Sequence, residues 1–151
     1  MRLGVDFGGT KIEAALLDSG GEIRARLRTA NPGSYDAAIA ATRELAARIE
    51  TETGAAARTI GVGMPGSLSP ADGLVRNANS VWLNGRPFLE DLKAAFGRPV
   101  RVENDANCFA LSEAADGAAA DARVVFGAIL GTGCGGGVVV DGRIIEGLNK
   151  V

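Results

Sequence analysis

Glu103-Asn104-Asp105-Ala106-Asn107 sets a carboxylate among amides where an apolar strand pattern gives way to a helical one. A carboxylate so placed can take the proton of an alcohol as its oxygen attacks phosphorus. On that reading Asp105 is a general base and Asn104 holds a neighbouring hydroxyl. The same residues suit a plainer task, because Asn and Asp are favoured helix N-caps. No Glu or Gln stands three residues on to complete a capping box.

Two glycine turns could serve the other half of such a reaction. The first is Asp6-Phe-Gly-Gly-Thr-Lys11 and the second Gly131-Thr-Gly-Cys-Gly-Gly-Gly137. Each lies between apolar strands and is followed by an acidic turn, at Asp18 and at Asp141, which suggests a duplicated unit. Without Cβ atoms, the backbone N–H groups of Gly8, Gly9, Gly131 and Gly133 can approach phosphate oxygens. Thr10 and Thr132 add hydroxyl donors, Lys11 adds charge, and Asp6 could hold a hydrated Mg²⁺. An isolated Gly-Gly is also the favoured turn of an ordinary hairpin. Five glycines in the seven positions 131–137 exceed what a hairpin needs.

A fourth group, Gly63-Met-Pro-Gly-Ser67 with Asn77-Ala-Asn-Ser-Val-Trp-Leu-Asn84, offers amides and glycine backbone suited to a polyhydroxylated ligand. A polar surface loop would read the same way. Trp82 is placed as a core anchor for that loop. Cys134, a loop thiol with no histidine partner, is a weak nucleophile candidate.

These residues need a scaffold. Leu3, Val5 and Phe7 alternate with Gly4 and Asp6, so Asp6 leaves its strand opposite the apolar face. Residues 12–17 and 22–28 complete a meander with turn residues at both bends. A helix is predicted over 35–53, with Ser34 as N-cap, Gly54 as stop and Ala38, Thr42, Leu45 and Ile49 on one face. A strand follows at 59–64, a helix at 88–96 and a strand at 100–103. The next helix, 106–119, is given an inward face of Leu111, Ala114, Ala115 and Ala118. Residues 124–130 are continuously apolar, as in a strand covered on both faces.

Composition narrows the partners. The 151 residues fit one ordinary domain, and a hydrophobic share of 46 % suffices for a core. Sixteen basic and 18 acidic residues give a formal charge of −2, against general nucleic-acid binding. The absence of histidine removes Ser-His and Cys-His catalysis from this chain. Two distant cysteines form neither a disulfide framework nor a zinc spacing. They read as free thiols in a reducing compartment. Neither a leader nor an apolar run of membrane-spanning length is apparent, so a cytoplasmic location is expected.

In this order, Asp6-Phe-Gly-Gly-Thr10, Gly63-Met-Pro-Gly66, Glu103-Asn-Asp-Ala-Asn107 and Gly131-Thr-Gly-Cys-Gly-Gly-Gly137 resemble the ROK family (repressors, uncharacterised frames and sugar kinases). The loop at 77–88 is most similar to the fructokinase-type members. The resemblance implies an α/β fold of actin-like, hexokinase type (ribonuclease H-like), with two similar domains around a cleft. It also implies ATP-dependent phosphorylation of a hexose, fructose first, with ATP and Mg²⁺. Both glycine turns become phosphate loops, Asp105 the catalytic base, and Asn104, Asp105, Gly66 and Asn79 the sugar contacts.

Family members run to roughly twice this length. By that likeness residues 1–119 form the first domain, and 120–151 begin a second. A Glu-x-Gly-His segment and a histidine–cysteine structural zinc motif would follow, and the zinc ligands are absent from this chain. A homodimer is implied for the full-length protein, with no nucleic-acid or membrane partner. The chain alone is expected to be inactive, with residues 124–130 and the hairpin after them left to pair, disorder or aggregate. The rivals are a non-catalytic sugar sensor of the repressor type, a non-kinase ATPase of the same fold, and a module without function of its own.

Overall fold

The computed structural model describes residues 1–130 and 134–147. Its larger sheet contains β1 (Arg2–Phe7), β2 (Lys11–Leu17), β3 (Ile23–Ala30), β4 (Thr59–Met64) and β7 (Val100–Asn104), in the order β3-β2-β1-β4-β7. The first three strands form the antiparallel meander, and β4 and β7 add on parallel to β1. Helix α1 (Tyr35–Thr53) makes the crossover from β3 to β4; α2 (Phe88–Phe96) precedes β7. Between β4 and α2 lie a small ribbon of β5 (Ser67–Leu68) and β6 (Val75–Arg76) and a 3₁₀ turn at Val81–Leu83.

Strand alternation builds the core. Leu3, Val5, Phe7, Ile12, Ala14, Leu16, Ile60, Val62 and Met64 are buried and share one cluster with Ala38, Leu45, Ala46 and Ile49 of α1 and with Phe88 and Leu92 of α2. The one buried polar residue among those described, Thr42, donates its hydroxyl to the Ala38 carbonyl at 2.7 Å. Ser34 takes the N-cap position of α1 without a side-chain capping bond, and Gly54 ends the helix with φ 64°. The end of α1 is tied to the start of β7 by Arg98, which donates to the Glu50 carboxylate and to the Ala57 carbonyl at 2.9 Å. Burial alone would raise the Glu50 carboxyl; hydrogen bonds from Arg98 and the Ala57 N–H, with the Arg98 charge, hold it below its ordinary value.

A second sheet pairs β8 (Val124–Leu130) with β9 (Cys134–Val140) and β10 (Arg143–Ile144). Helix α3 (Asp105–Ala115) lies on this sheet, with Ala110, Val125 and Val139 buried together. Three expectations are corrected here. The helix starts at Asp105 and stops at Ala115, and its buried stripe is Ala106 and Ala110; Leu111 and Ala114 are half-buried, while Ala115 and Ala118 are exposed. The reason is close approach, because only small residues fit where α3 crosses β8 and β9.

The second correction concerns the later glycines. Gly135, Gly136 and Gly137 belong to β9 and not to a turn. A Cβ on Gly137 would meet the Ala106 carbonyl oxygen at 2.6 Å, and one on Gly127 would meet Ala110 Cβ at 2.8 Å. Gly127 and Gly137 thus let α3 approach the sheet closely. Third, β8 is covered on one face only among the described residues. Val125 is buried, whereas Val124, Phe126 and Leu130 are 65, 71 and 83 % exposed. A continuous apolar run has the same composition whether one face or two are covered, so the pattern could not separate the cases.

Candidate functional site

Three parallel strands end on the same side of the larger sheet: β1 at Phe7, β4 at Met64 and β7 at Asn104. Ligands of open α/β sheets bind beyond such carboxyl ends. A cleft of about 950 Å³ opens there. Its lining includes Gly8, Gly9 and Thr10 after β1, and Pro65, Gly66 and Ser67 after β4. Asn77, Asn79, Ser80 and Trp82 come from the following loop, Glu103, Asn104, Asp105 and Asn107 from the β7–α3 junction, and Cys134, Gly135 and Gly136 from β9. Residues as far apart in the sequence as Gly8 and Gly136 thus face one volume.

The first glycine turn is held from outside. Asn31 donates its side-chain amide to the Gly8 carbonyl at 2.8 Å, and its backbone N–H to the Thr10 carbonyl at 2.9 Å. With these carbonyls engaged, the turn is fixed as one unit beside the cleft. Lys11 is exposed at the start of β2 and does not line the cleft. Asp6 emerges on the sheet face opposite the core, as its alternation requires.

The β7–α3 junction is a polar lattice. Asn104 is the N-cap, and its side-chain oxygen accepts from the N–H groups of Ala106 at 3.0 Å and Asn107 at 3.2 Å. Its amide donates to the Gly66 carbonyl at 3.0 Å, joining the β4 loop to the junction. Both acceptor positions and one N–H are therefore engaged, which leaves the second N–H as a donor to a ligand. The Asn104 N–H donates to Glu103 Oε1 at 2.7 Å, so the glutamate before the cap does what a capping-box Glu would do from three residues on. Asp105 Oδ1 accepts from the Ala106 N–H at 2.8 Å, and among the described residues Oδ2 has no such backbone partner.

Gly66 has φ 79°, and a Cβ there would lie 2.4 Å from the Arg76 carbonyl oxygen and 2.7 Å from the Ala78 nitrogen. The Asn-rich loop can fold over β4 only because residue 66 is glycine. Asn84 exchanges two hydrogen bonds with Ala78, at 2.9 and 3.0 Å, so it staples the loop and does not face a ligand. Asn79 lines the cleft and is exposed. Trp82 packs on the core edge-to-face with Phe7, 6.2 Å between centroids, while also forming part of the cleft wall.

Charge in the cleft is negative. Burial, then the charge of Asp105, then Glu13, raise the Asp6 carboxyl above its ordinary value, and Lys11 offsets this in part. Burial first, then Glu103, Asp105 and Asp6, push the Cys108 thiol up to about 11. Cys108 is therefore a neutral thiol at ordinary pH and not a nucleophile. The same carboxylates make a place where a divalent cation would relieve repulsion. Among the described residues no group of three or more His, Cys, Asp or Glu side chains could hold a metal unaided. This donor set fits Mg²⁺ held by one or two carboxylates, waters and substrate phosphates.

The cleft brings together Gly8, Gly9, Thr10, Gly66, Asn79, Asn104 and Asp105, with Asp6 near enough for its charge to be felt at Asp105. Gly131, Thr132 and Gly133 lie outside the described residues. Sequence reasoning gave no individual role to Asn31, Glu103 or Asn107, and grouped Asn84 with the sugar-type amides where the structure makes it a staple of the loop. For Asn31 and Asn84 no local signal existed, since their partners are 23 and 6 positions away. For Glu103 the signal was its place directly before an N-cap.

The ROK family profile matches residues 2–151. N-acetyl-D-glucosamine kinase of Escherichia coli (strain K12 / DH10B) is 43 % identical over 152 residues, covering 100 % of this chain and 50 % of that protein. Among solved structures, the ROK hexokinase from Thermus thermophilus matches with TM-score 0.84 and 36 % identity, covering 99 % of this chain and 50 % of that one. A ROK family glucokinase from Streptomyces griseus in complex with glucose and AMPPNP matches with TM-score 0.89 and 31 % identity, covering 99 % and 47 %. The chain thus spans about half the length of the curated relatives it matches. No described helix is long and apolar enough to cross a membrane.

Proposed function

The chain belongs to the ROK family, and from that premise we propose that the complete polypeptide transfers the γ-phosphoryl group of ATP to a hexose hydroxyl. The fold is of the actin-like type, and the homologues are sugar kinases. The observation that carries the proposal is the single cleft in which the Gly8–Thr10 turn meets Asn104 and Asp105.

ATP supplies the electrophilic phosphorus and, with Mg²⁺ on its phosphates, the leaving group. The chain supplies position and a base. Backbone N–H groups of Gly8 and Gly9 and the Thr10 hydroxyl bind phosphate oxygens, and the family likeness adds Gly131, Thr132 and Gly133 to that set. Asp6 is the residue that would hold Mg²⁺, which would offset the phosphate charge. Asn104, through its remaining N–H, together with Gly66 and Asn79, orients the sugar. The Asp105 carboxylate takes the hydroxyl proton as that oxygen bonds to the γ-phosphorus and the bond to the β-phosphate oxygen breaks. Residues 1–119 and 120–151 contribute to two similar domains, and α3, seated on β8 and β9, links the base to the second of them.

For the sugar, glucose-type hexoses stand ahead of fructose, because the relatives at 43, 36 and 31 % identity are an N-acetyl-D-glucosamine kinase, a hexokinase and a glucokinase. The test is coupled ADP release by the complete polypeptide with Mg-ATP and N-acetyl-D-glucosamine, glucose or fructose. Sugar-dependent release with one of the first two is expected. Release with fructose alone would reverse the sugar assignment, and release with no hexose would remove the kinase reading.

A further inference from the structure

Glu103 sits one residue before the N-cap, yet its carboxylate does not point away from the junction. Oε1 accepts from the Asn104 N–H at 2.7 Å and from the Asn107 side-chain amide at 3.0 Å. One oxygen thus bridges the residue before Asp105 and the residue two after it. Asn104 is fixed as well to Gly66 and to the first turn of α3. Asp105 is the first residue of that helix, and its own Oδ1 is bound to the Ala106 N–H. The direction of its carboxylate therefore follows from the geometry of a turn that Glu103 clamps at both ends.

An ordinary cap needs only the Asn104 side chain, which is already supplied. Glu103 adds a second fastening, which joins the Asn104 backbone N–H to the Asn107 side-chain amide through one oxygen. We propose that Glu103 is a positioning residue for phosphoryl transfer, holding Asn104 and Asn107 so that the Asp105 carboxylate faces the acceptor hydroxyl. The proposal rests on the sugar-kinase reading above. Its physical basis is that small misplacements of a reacting group cost rate far more than binding.

The experiment uses the complete polypeptide, with steady-state ADP release and thermal melting measured together. Glu103→Ala lowers kcat about 10²-fold and leaves the KM for ATP unchanged, because the phosphate turn is held separately by Asn31. Glu103→Gln recovers most of that loss, since its amide oxygen accepts the same two hydrogen bonds. Asn107→Ala lowers kcat less, and the double variant is no slower than Glu103→Ala, as coupled residues require. A merely structural role would instead lower the melting temperature and leave the kcat of the folded fraction near wild type. If Glu103→Ala does not fold, Asn107→Ala and Glu103→Gln decide. Wild-type kcat in Asn107→Ala, or loss of rate in Glu103→Gln as deep as that of any removal, overturns the proposal. A wild-type protein with no sugar-dependent ADP release overturns the kinase reading itself, which is a separate outcome.

Discussion

Asp105→Asn in the complete polypeptide is expected to lower sugar-dependent ADP release by about 10²–10⁴-fold, the range a positioned general base contributes. The substitution is chosen because it separates chemistry from folding. The asparagine oxygen can still accept from the Ala106 N–H, as Asp105 Oδ1 does at 2.8 Å, so the first turn of α3 keeps its fastening. What is lost is the ability to take a proton at the free oxygen. Melting temperature and hexose affinity should therefore stay near wild type while kcat falls. An unchanged kcat would mean that the base lies elsewhere, and a fall matched by unfolding would mean that Asp105 serves the helix and not the reaction.

Gly66→Ala is expected to damage fold and site together. Residue 66 has φ 79°, a region that costs an L-residue about 1–2 kcal/mol. The added methyl would lie 2.4 Å from the Arg76 carbonyl oxygen and 2.7 Å from the Ala78 nitrogen. Both are backbone atoms, so the whole 76–80 loop must shift, at a cost of about 1–3 kcal/mol typical of overpacking. The shift carries Asn79 and Ser80 away from the cleft and strains the bond from Asn104 to the Gly66 carbonyl. Chemical denaturation should show the loss of stability, and calorimetry with the preferred hexose a loss of affinity. Wild-type values in both would show that the loop tolerates displacement and does not shape the sugar site.

Much of this was legible because the relevant signals are local. Alternation in β1 fixed which face Asp6 leaves, and the Glu103–Asn107 run marked a strand-to-helix junction by residue type alone. What sequence could not supply were facts of approach between distant segments. Gly135, Gly136 and Gly137 read as turn residues because glycine is the commonest turn former; only the backbone of Ala106, 2.6 Å from where a Cβ on Gly137 would lie, shows that the helix requires glycine at position 137. The run Val124–Leu130 read as doubly covered because apolar composition does not record which neighbours are present. Asn31 carried no local signal, and its bond to the Gly8 carbonyl exists only once the meander has folded. Asn84 carried the right chemistry for a sugar but spends it on Ala78.

The central claim is that one cleft places a hexose hydroxyl against Asp105 while the Gly8–Thr10 turn holds the phosphates. A crystal structure of the complete polypeptide with hexose and a non-hydrolysable ATP analogue tests it most directly. The acceptor hydroxyl should lie about 2.6–3.2 Å from an Asp105 carboxylate oxygen, with phosphate oxygens on the backbone N–H groups of Gly8 and Gly9. A sugar bound away from Asp105, or phosphates seated outside the first glycine turn, would contradict the account.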